Sequence, residues 1–286
     1  PFAAQLWPAL QVLKQLTRIS PREPKITLGV DIGSTAIKVV ALVARKGTGA
    51  RPLIGQHITP LEAGQEVDAS EPLKAAVGAL ELPRRTVNLS VSGQWVIMRI
   101  IEMPPMKPAE MKQALPFEAQ RYLPFNIQDV IIDGTVLGPA GTHKSWVLIV
   151  ACKKELIERR LDWVKRAGLE AALIDVDALA LANSWLASVN GRHAQGTRAL
   201  INVGAQFTNL IIFQGEAPYL VRDIPWGGDK LMRSAAEQLG LEAAVVSKEL
   251  IQGELSAELL SAMKLSSEAL VTELQLSFDY FENRFG

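Results

Sequence analysis

Cysteine is almost missing from this chain of 286 residues: Cys152 stands alone, which excludes an internal disulfide and suits a reducing compartment. It closes the apolar run at 146–152 and is therefore expected to be a buried strand thiol. Histidine is scarce too. His57, His143 and His193 are scattered with no Cys, Asp or Glu at metal-ligand spacing, and each is expected in a loop or at a strand end. Thirty basic and thirty acidic residues cancel, and no basic stretch is interleaved with aromatics, so no nucleic-acid partner is expected. No apolar run reaches the roughly 18 residues of a membrane span. The longest candidate, 171–189, is broken by Asp175 and Asp177. Neither a Gly-x-Ser-x-Gly elbow nor a Cys/His nucleophile pattern occurs. What remains is a soluble globular composition, 48% hydrophobic and 21% charged, long enough for two domains.

The most informative stretch is LGVDIGSTAIKVVALVA, residues 28–44. Ile26, Leu28, Val30 and Ile32 alternate as in a strand, Gly33-Ser34-Thr35 break it, and apolar residues resume at 39–43. A glycine here lets backbone approach a ligand, while Ser34 and Thr35 offer hydroxyls and turn N–H groups to phosphate oxygens. Asp31 at the strand end can hold Mg²⁺ through water, and Lys38 adds a positive charge. An ordinary hairpin would use the same residues. The difference is made by a second copy, LINVGAQFTNLIIF at 200–213, in which Asn202 and Gly204 align with Asp31 and Gly33 without a gap. Each copy continues across a Gly turn, at 46–49 and 214–216, into a third strand at 53–58 and 219–224. The chain thus reads as an internal duplication. Two phosphate-binding hairpins facing one cleft are the arrangement of actin, sugar kinases and Hsp70-type proteins.

From about residue 25 onward the chain resembles the PilM family, actin-like cytoplasmic proteins of type IV pilus and related type II secretion platforms. The resemblance is carried by the first turn at 29–38 and by ALPFEAQRYLPFNIQDV at 114–130. It continues through VACKKE at 150–155, Ala167-Gly168-Leu169 before Ile174-Asp175-Val176-Asp177, the second turn, and WGGDKL at 226–231. It implies an α/β, actin-like (duplicated ribonuclease H-like) fold with an inserted α+β subdomain, 1C, of the SHS2 type. Domain 1A would hold 25–83 and 170–195, subdomain 1C 84–169, and domain 2 196–286, after an N-terminal helix and linker at 1–24. ATP and Mg²⁺ are the implied ligands. Phosphates would meet Asp31, Gly33, Ser34, Thr35 and Lys38 in the first turn, with Asp31 holding the metal through water. Asn202, Gly204, Ala205 and Thr208 would serve in the second turn, Gly227 and Gly228 at a helix N-terminus, and Lys248 near base and ribose. The implied partner is the N-terminal cytoplasmic peptide of a PilN-like protein, in a groove between 1A and 1C, with Phe117, Tyr122, Pro124 and Phe125 as its first candidate contacts. The implied location is the bacterial cytoplasm, peripheral at the inner membrane.

Two departures from the family pattern bear on chemistry. The second turn begins with Asn202 where relatives usually have Asp, so it carries no charge to hold a metal or a nucleophilic water, and no residue is assigned as catalytic. ATP binding is expected rather than hydrolysis. The sequence also stops where relatives continue to a strand and a Gly-Gly adenosine loop, so the second lobe is expected to be incomplete. An ATP-hydrolysing or sugar-phosphorylating enzyme of the same fold is the alternative, and it needs a carboxylate that Asn202 does not supply. An FtsA-like filament protein is another. Its amphipathic membrane helix is C-terminal, whereas the candidate here is N-terminal.

That candidate, residues 1–20, places Leu6, Leu10, Leu13 and Leu16 on one face with Lys14 and Arg18 as its only charges. It can pack on the body of the protein, on a partner helix or on a membrane surface, and self-association is a further expectation. Helices are also expected at 71–77, at 108–122 with Pro116 interrupting or kinking it, and at 153–167, closed by Gly168. Strands are expected at 84–90, 95–102, 130–137 and 145–152. Asp175 and Asp177 end a strand before a helix at 178–188, where they can touch cleft water or metal, or Asp177 can cap the helix. Further helices are expected from Gly227-Gly228 to 239 with Asp229 as cap, at 241–250, and at 257–285. The last carries Met263, Leu270, Leu274, Phe278, Phe281 and Phe285 as a core stripe.

Overall fold

Alternation of apolar and polar side chains sets the first sheet. The computed structural model describes residues 25–44, 51–61, 68–83, 85–189, 196–253 and 255–286. The helix expected at 1–20, the turn at 46–49 and most of the loop at 190–196 lie outside the described residues. The chain divides into two units, residues 1–180 and 181–286.

In the first unit, β1 (Lys25–Ile32) and β2 (Ala36–Ala44) are antiparallel, and β3 (Leu53–Pro60) continues the meander. β4 (Thr86–Val91) runs parallel to β1, and β8 (Glu170–Val176) parallel to β4, giving the order β3-β2-β1-β4-β8. Leu28, Val30, Ile32, Ile37, Val39, Val87 and Leu89 form one buried face. Over it lie α1 (Ser70–Gly78), through Leu73 and Val77, and α3 (Lys154–Arg166), through Val164. Asp68 starts α1 by accepting the Ser70 amide at 3.0 Å.

A smaller antiparallel sheet, in the order β5-β7-β6, is made by β5 (Val96–Met103), β6 (Val130–Pro139) and β7 (Ser145–Lys153). α2 (Pro108–Ala119) packs on it through Leu115 and Ala119. Gly134 permits this approach, because a Cβ there would lie 2.9 Å from Leu115 Cδ2 and from the Leu148 carbonyl. Three expectations change. Residues 86–91, expected within the insert at 84–169, pair into the larger sheet, and α3 packs there too. Parallel pairing is non-local, so the residues between 84 and 102 carried no sign of the switch. Of the two readings of Pro116 only interruption is overturned, since α2 runs through it to Ala119 before a turn in which Tyr122 N–H donates to the Ala119 carbonyl. His57 lies inside β3 rather than at a strand end.

The second unit opens with β9 (Thr197–Val203), β10 (Thr208–Gln214) and β11 (Ala217–Ile224), in the order β11-β10-β9. Leu210, Ile211, Ile212 and Phe213 are all buried, so β10 reads as a continuous apolar run because both its faces are covered. α4 (Asp177–Val189) crosses the division at 180, and its Trp185 ring lies 4.9 Å from that of Phe213. α5 (Gly228–Leu239) ends at Gly240, whose φ of 64° is the left-handed region glycine favours. α6 (Ala243–Gln252) and α7 (Ala257–Phe285) follow. Leu270 and Phe281 of α7 are buried against β10 and β11, with Leu274, Phe278 and Phe285 beside them, as the stripe predicted. No helix among the described residues is long and apolar enough to cross a membrane.

Candidate functional site

The first turn closes when Gly33 N–H donates to the Ala36 carbonyl at 3.0 Å, in a register that sets Ile32 opposite Ile37 and Asp31 opposite Lys38. Lys38 Nζ pairs with Asp31 Oδ2 at 2.8 Å. Both side chains are well exposed, so the pair contributes about 0–1 kcal/mol to stability. Ser34 and Thr35 stand exposed at the tip. A Cβ on Gly33 would come to 3.0 Å from the Ala36 carbonyl, tighter than backbone normally allows. Bare backbone flanked by two exposed hydroxyls fits phosphate oxygens. The fit to a metal is different: among the described residues no group of three or more His, Cys, Asp or Glu can hold an ion. A Mg²⁺ there would rest on Asp31 through water and on phosphate oxygens rather than on a protein cage.

Beneath this turn sits a residue the motif did not signal. Arg160 of α3 donates from Nη2 to the Ile32 carbonyl at 3.1 Å, and its guanidinium lies 4.9 Å from the centre of the Trp163 ring. Burial lowers the pKa of Arg160, while the charges of Asp177 and then Asp31 oppose that shift. Asp175 accepts the Val176 amide at 2.8 Å, and burial raises its carboxyl above the usual range. Asp177 is the first residue of α4, where its charge suits the positive end of the helix dipole.

The second turn has the same closure: Gly204 N–H donates to the Phe207 carbonyl at 2.9 Å, with Val203 opposite Thr208 and Asn202 opposite Asn209. Its side chains do something else. Asn202 Nδ2 donates to Asn209 Oδ1 at 2.9 Å, and Asn209 Nδ2 donates to Asp223 Oδ1 at 2.7 Å. The carboxylate of this turn is therefore on β11, unmarked by the motif. Thr208 is fully buried and gives its hydroxyl to the Trp226 carbonyl at 2.7 Å, so it anchors the turn and offers nothing to a ligand. Gly228 N–H donates to the Gly204 carbonyl and Asp229 N–H to the Ala205 carbonyl, each at 2.9 Å. The first amides of α5 are thus taken by the turn itself. Gly227, not Asp229, is the cap residue, and a Cβ on it would fall 2.4 Å from the Ala205 carbonyl oxygen. Lys248 is exposed on α6.

The aromatic segment after α2 divides into two parts. Phe117, Tyr122 and Pro124 are exposed, Phe117 to 75%. Phe125 is half-buried, with its ring 6.1 Å from that of Trp95 and Lys153 Nζ 4.7 Å from its centre. Lys153 also sits 3.9 Å from the Trp95 ring, which gives Phe125 an internal cation–π role. Cys152 is buried as expected, and burial pushes its thiol up to about 11.

A family model described as type IV pilus assembly protein PilM matches residues 29–284. Among solved structures, the chain is similar to one of a PilM–PilN type IV pilus biogenesis complex, with a TM-score of 0.80 at 23% identity over 93% of this chain and 80% of that one. It is also similar to ethanolamine utilization protein EutJ from Carboxydothermus hydrogenoformans, with a TM-score of 0.50 at 13% identity over 96% of this chain and 81% of that one. The fold is therefore the α/β, actin-like one that the duplicated hairpins imply.

Proposed function

Because the chain belongs to the type IV pilus assembly protein PilM family, we propose that it is an actin-like, nucleotide-binding scaffold of an inner-membrane platform for pilus assembly or type II secretion. The observation that carries the nucleotide part is the repeat of one hairpin closure in one register, at Gly33–Ala36 and at Gly204–Phe207. ATP is the ligand. Gly33, Ser34, Thr35 and Lys38 would meet phosphate oxygens, Asp31 would hold Mg²⁺ through water, and Asn202, Gly204, Ala205, Gly227 and Lys248 form the second set, with Gly228 offering close approach rather than its amide, which the Gly204 carbonyl takes. Mg²⁺ supplies charge neutralisation on the phosphates when bound. Binding rather than turnover is the expected activity, since Asn202 is neutral and its amide is tied to Asn209. Domain 1A comprises the larger sheet and 1C the smaller one, with domain 2 beginning near residue 196.

The partner is the N-terminal cytoplasmic peptide of a PilN-like protein. Exposed Phe117, Tyr122 and Pro124 support this reading, as does the PilN present in the similar complex. The protein works in the bacterial cytoplasm, peripheral at the inner membrane, with residues 1–20 as a candidate membrane contact and self-association as a further possibility to measure. Calorimetry with Mg²⁺ and ATP tests the nucleotide claim: Gly33→Asp should abolish a binding heat that the unaltered chain gives. No heat from either chain would sink it. Peptide titration tests the partner claim, with Phe117→Ala and Tyr122→Ala each weakening binding roughly tenfold. An unaltered chain blind to the peptide would refute it.

A further inference from the structure

Arg160 comes to the first turn from outside the motif, on a helix that begins directly after β7 of the smaller sheet. Its hydrogen bond goes to Ile32, the last residue of β1 and the neighbour of Gly33. Its Nε and Asp177 Oδ1 are both buried with no hydrogen-bond partner among the described residues. Trp163 shields one face of the guanidinium. Lys38, the other cation of this turn, is exposed on a long flexible stem, whereas Arg160 is held by a backbone carbonyl and a ring. Phosphates approaching Ser34 and Thr35 enter the field of Asp31, and Arg160, on which the charges of both Asp177 and Asp31 act, is a fixed positive charge placed to offset that repulsion.

We propose that Arg160 is a positioning residue of the first turn: it pins the exit of β1 through the Ile32 carbonyl and neutralises Asp31 and Asp177 so that phosphate oxygens can approach. This role rests on the nucleotide reading of the turn. It has a signature that a merely structural arginine lacks, because Mg²⁺ can replace a missing positive charge beside phosphates but cannot replace a packing contact.

The test compares the unaltered chain with Arg160→Gln, Arg160→Lys and Asp177→Asn, using ATP calorimetry with Mg²⁺ and with EDTA, and amide hydrogen exchange without ligand. Arg160→Gln should weaken metal-free ATP binding about tenfold and Mg·ATP binding about threefold or less. Arg160→Lys should restore most of the metal-free affinity. Exchange at the Gly33 amide should accelerate about tenfold in Arg160→Gln, with the Gly204 amide unchanged. Should Arg160→Gln fail to fold, Asp177→Asn still decides, since removing the opposing carboxylate should tighten metal-free ATP binding. Equal losses with and without Mg²⁺, faster exchange in both hairpins alike, or no effect of Asp177→Asn would overturn the proposal. An unaltered chain that binds no ATP overturns the nucleotide reading and this role together, whereas one that binds ATP no better than Arg160→Gln overturns Arg160 alone.

Discussion

The two hairpins close with the same bond in the same register, yet they are braced by different means. The first is held mainly by side-chain charge, Lys38 on Asp31 and Arg160 on the Ile32 carbonyl, with a single backbone bond from the Leu61 amide to the Thr35 carbonyl at 2.8 Å. The second is held by backbone, through the Gly228 and Asp229 amides, and by a neutral amide chain from Asn202 to Asp223. A backbone brace is rigid and demands a glycine where it touches. A side-chain brace can exchange a carboxylate for an incoming phosphate, and it responds to salt. On the proposed nucleotide reading, the first turn is therefore the responsive hairpin and the second the fixed one.

The backbone brace is the place to break this comparison with the largest effect. Gly227→Ala should cost about 3 kcal/mol or more in urea unfolding, because its Cβ would overlap the Ala205 carbonyl and backbone cannot step aside. Gly33→Ala, at 3.0 Å from one carbonyl, should cost only about 1 kcal/mol, and equal losses would remove the distinction between the two braces.

Amide and ion-pair links come next. Asn209 is buried and bonded on both sides, so Asn209→Ala should cost about 2 kcal/mol by leaving Asn202 and Asp223 without it. Lys38→Met should cost less than about 1 kcal/mol, and that loss should shrink in high salt. A Lys38 effect larger than that of Asn209 would reverse the assignment of responsive and fixed hairpins.

The smallest effect concerns Asp175, partly buried near the end of β8 opposite Ser90 of β4. The carboxyl of Asp175 is raised by burial, so the folded state binds its proton more readily than the unfolded state does. Its contribution to stability is therefore greatest below the ordinary carboxylate pKa and is lost as pH rises through the folded value. Asp175→Asn should raise the melting temperature at pH 7 relative to the unaltered chain, and the difference should close in acid. A gap that stayed constant with pH would assign the effect to packing.

The hairpins, the α7 stripe and the buried Cys152 were legible because each is a local pattern: period-two alternation, a glycine between strands, apolar residues at helical spacing. The site was legible only in part. Gly33, Ser34 and Thr35 stand where the motif put them, whereas Thr208 turns inward and the amides of Gly228 and Asp229 are consumed by the second turn. A motif records residue types and spacing, and hydroxyl direction depends on which neighbour offers an acceptor, here the Trp226 carbonyl two residues past the end of β11.

By itself the sequence determined the duplication, the register of both turns and the family, since these rest on neighbours along the chain. Only the tertiary structure decided what braces each turn. Arg160 reaches Ile32 across 128 positions, a separation at which periodicity carries no information and long-range packing selects the contact, whereas Asn202, Asn209 and Asp223 meet because the register of β9, β10 and β11 sets them side by side.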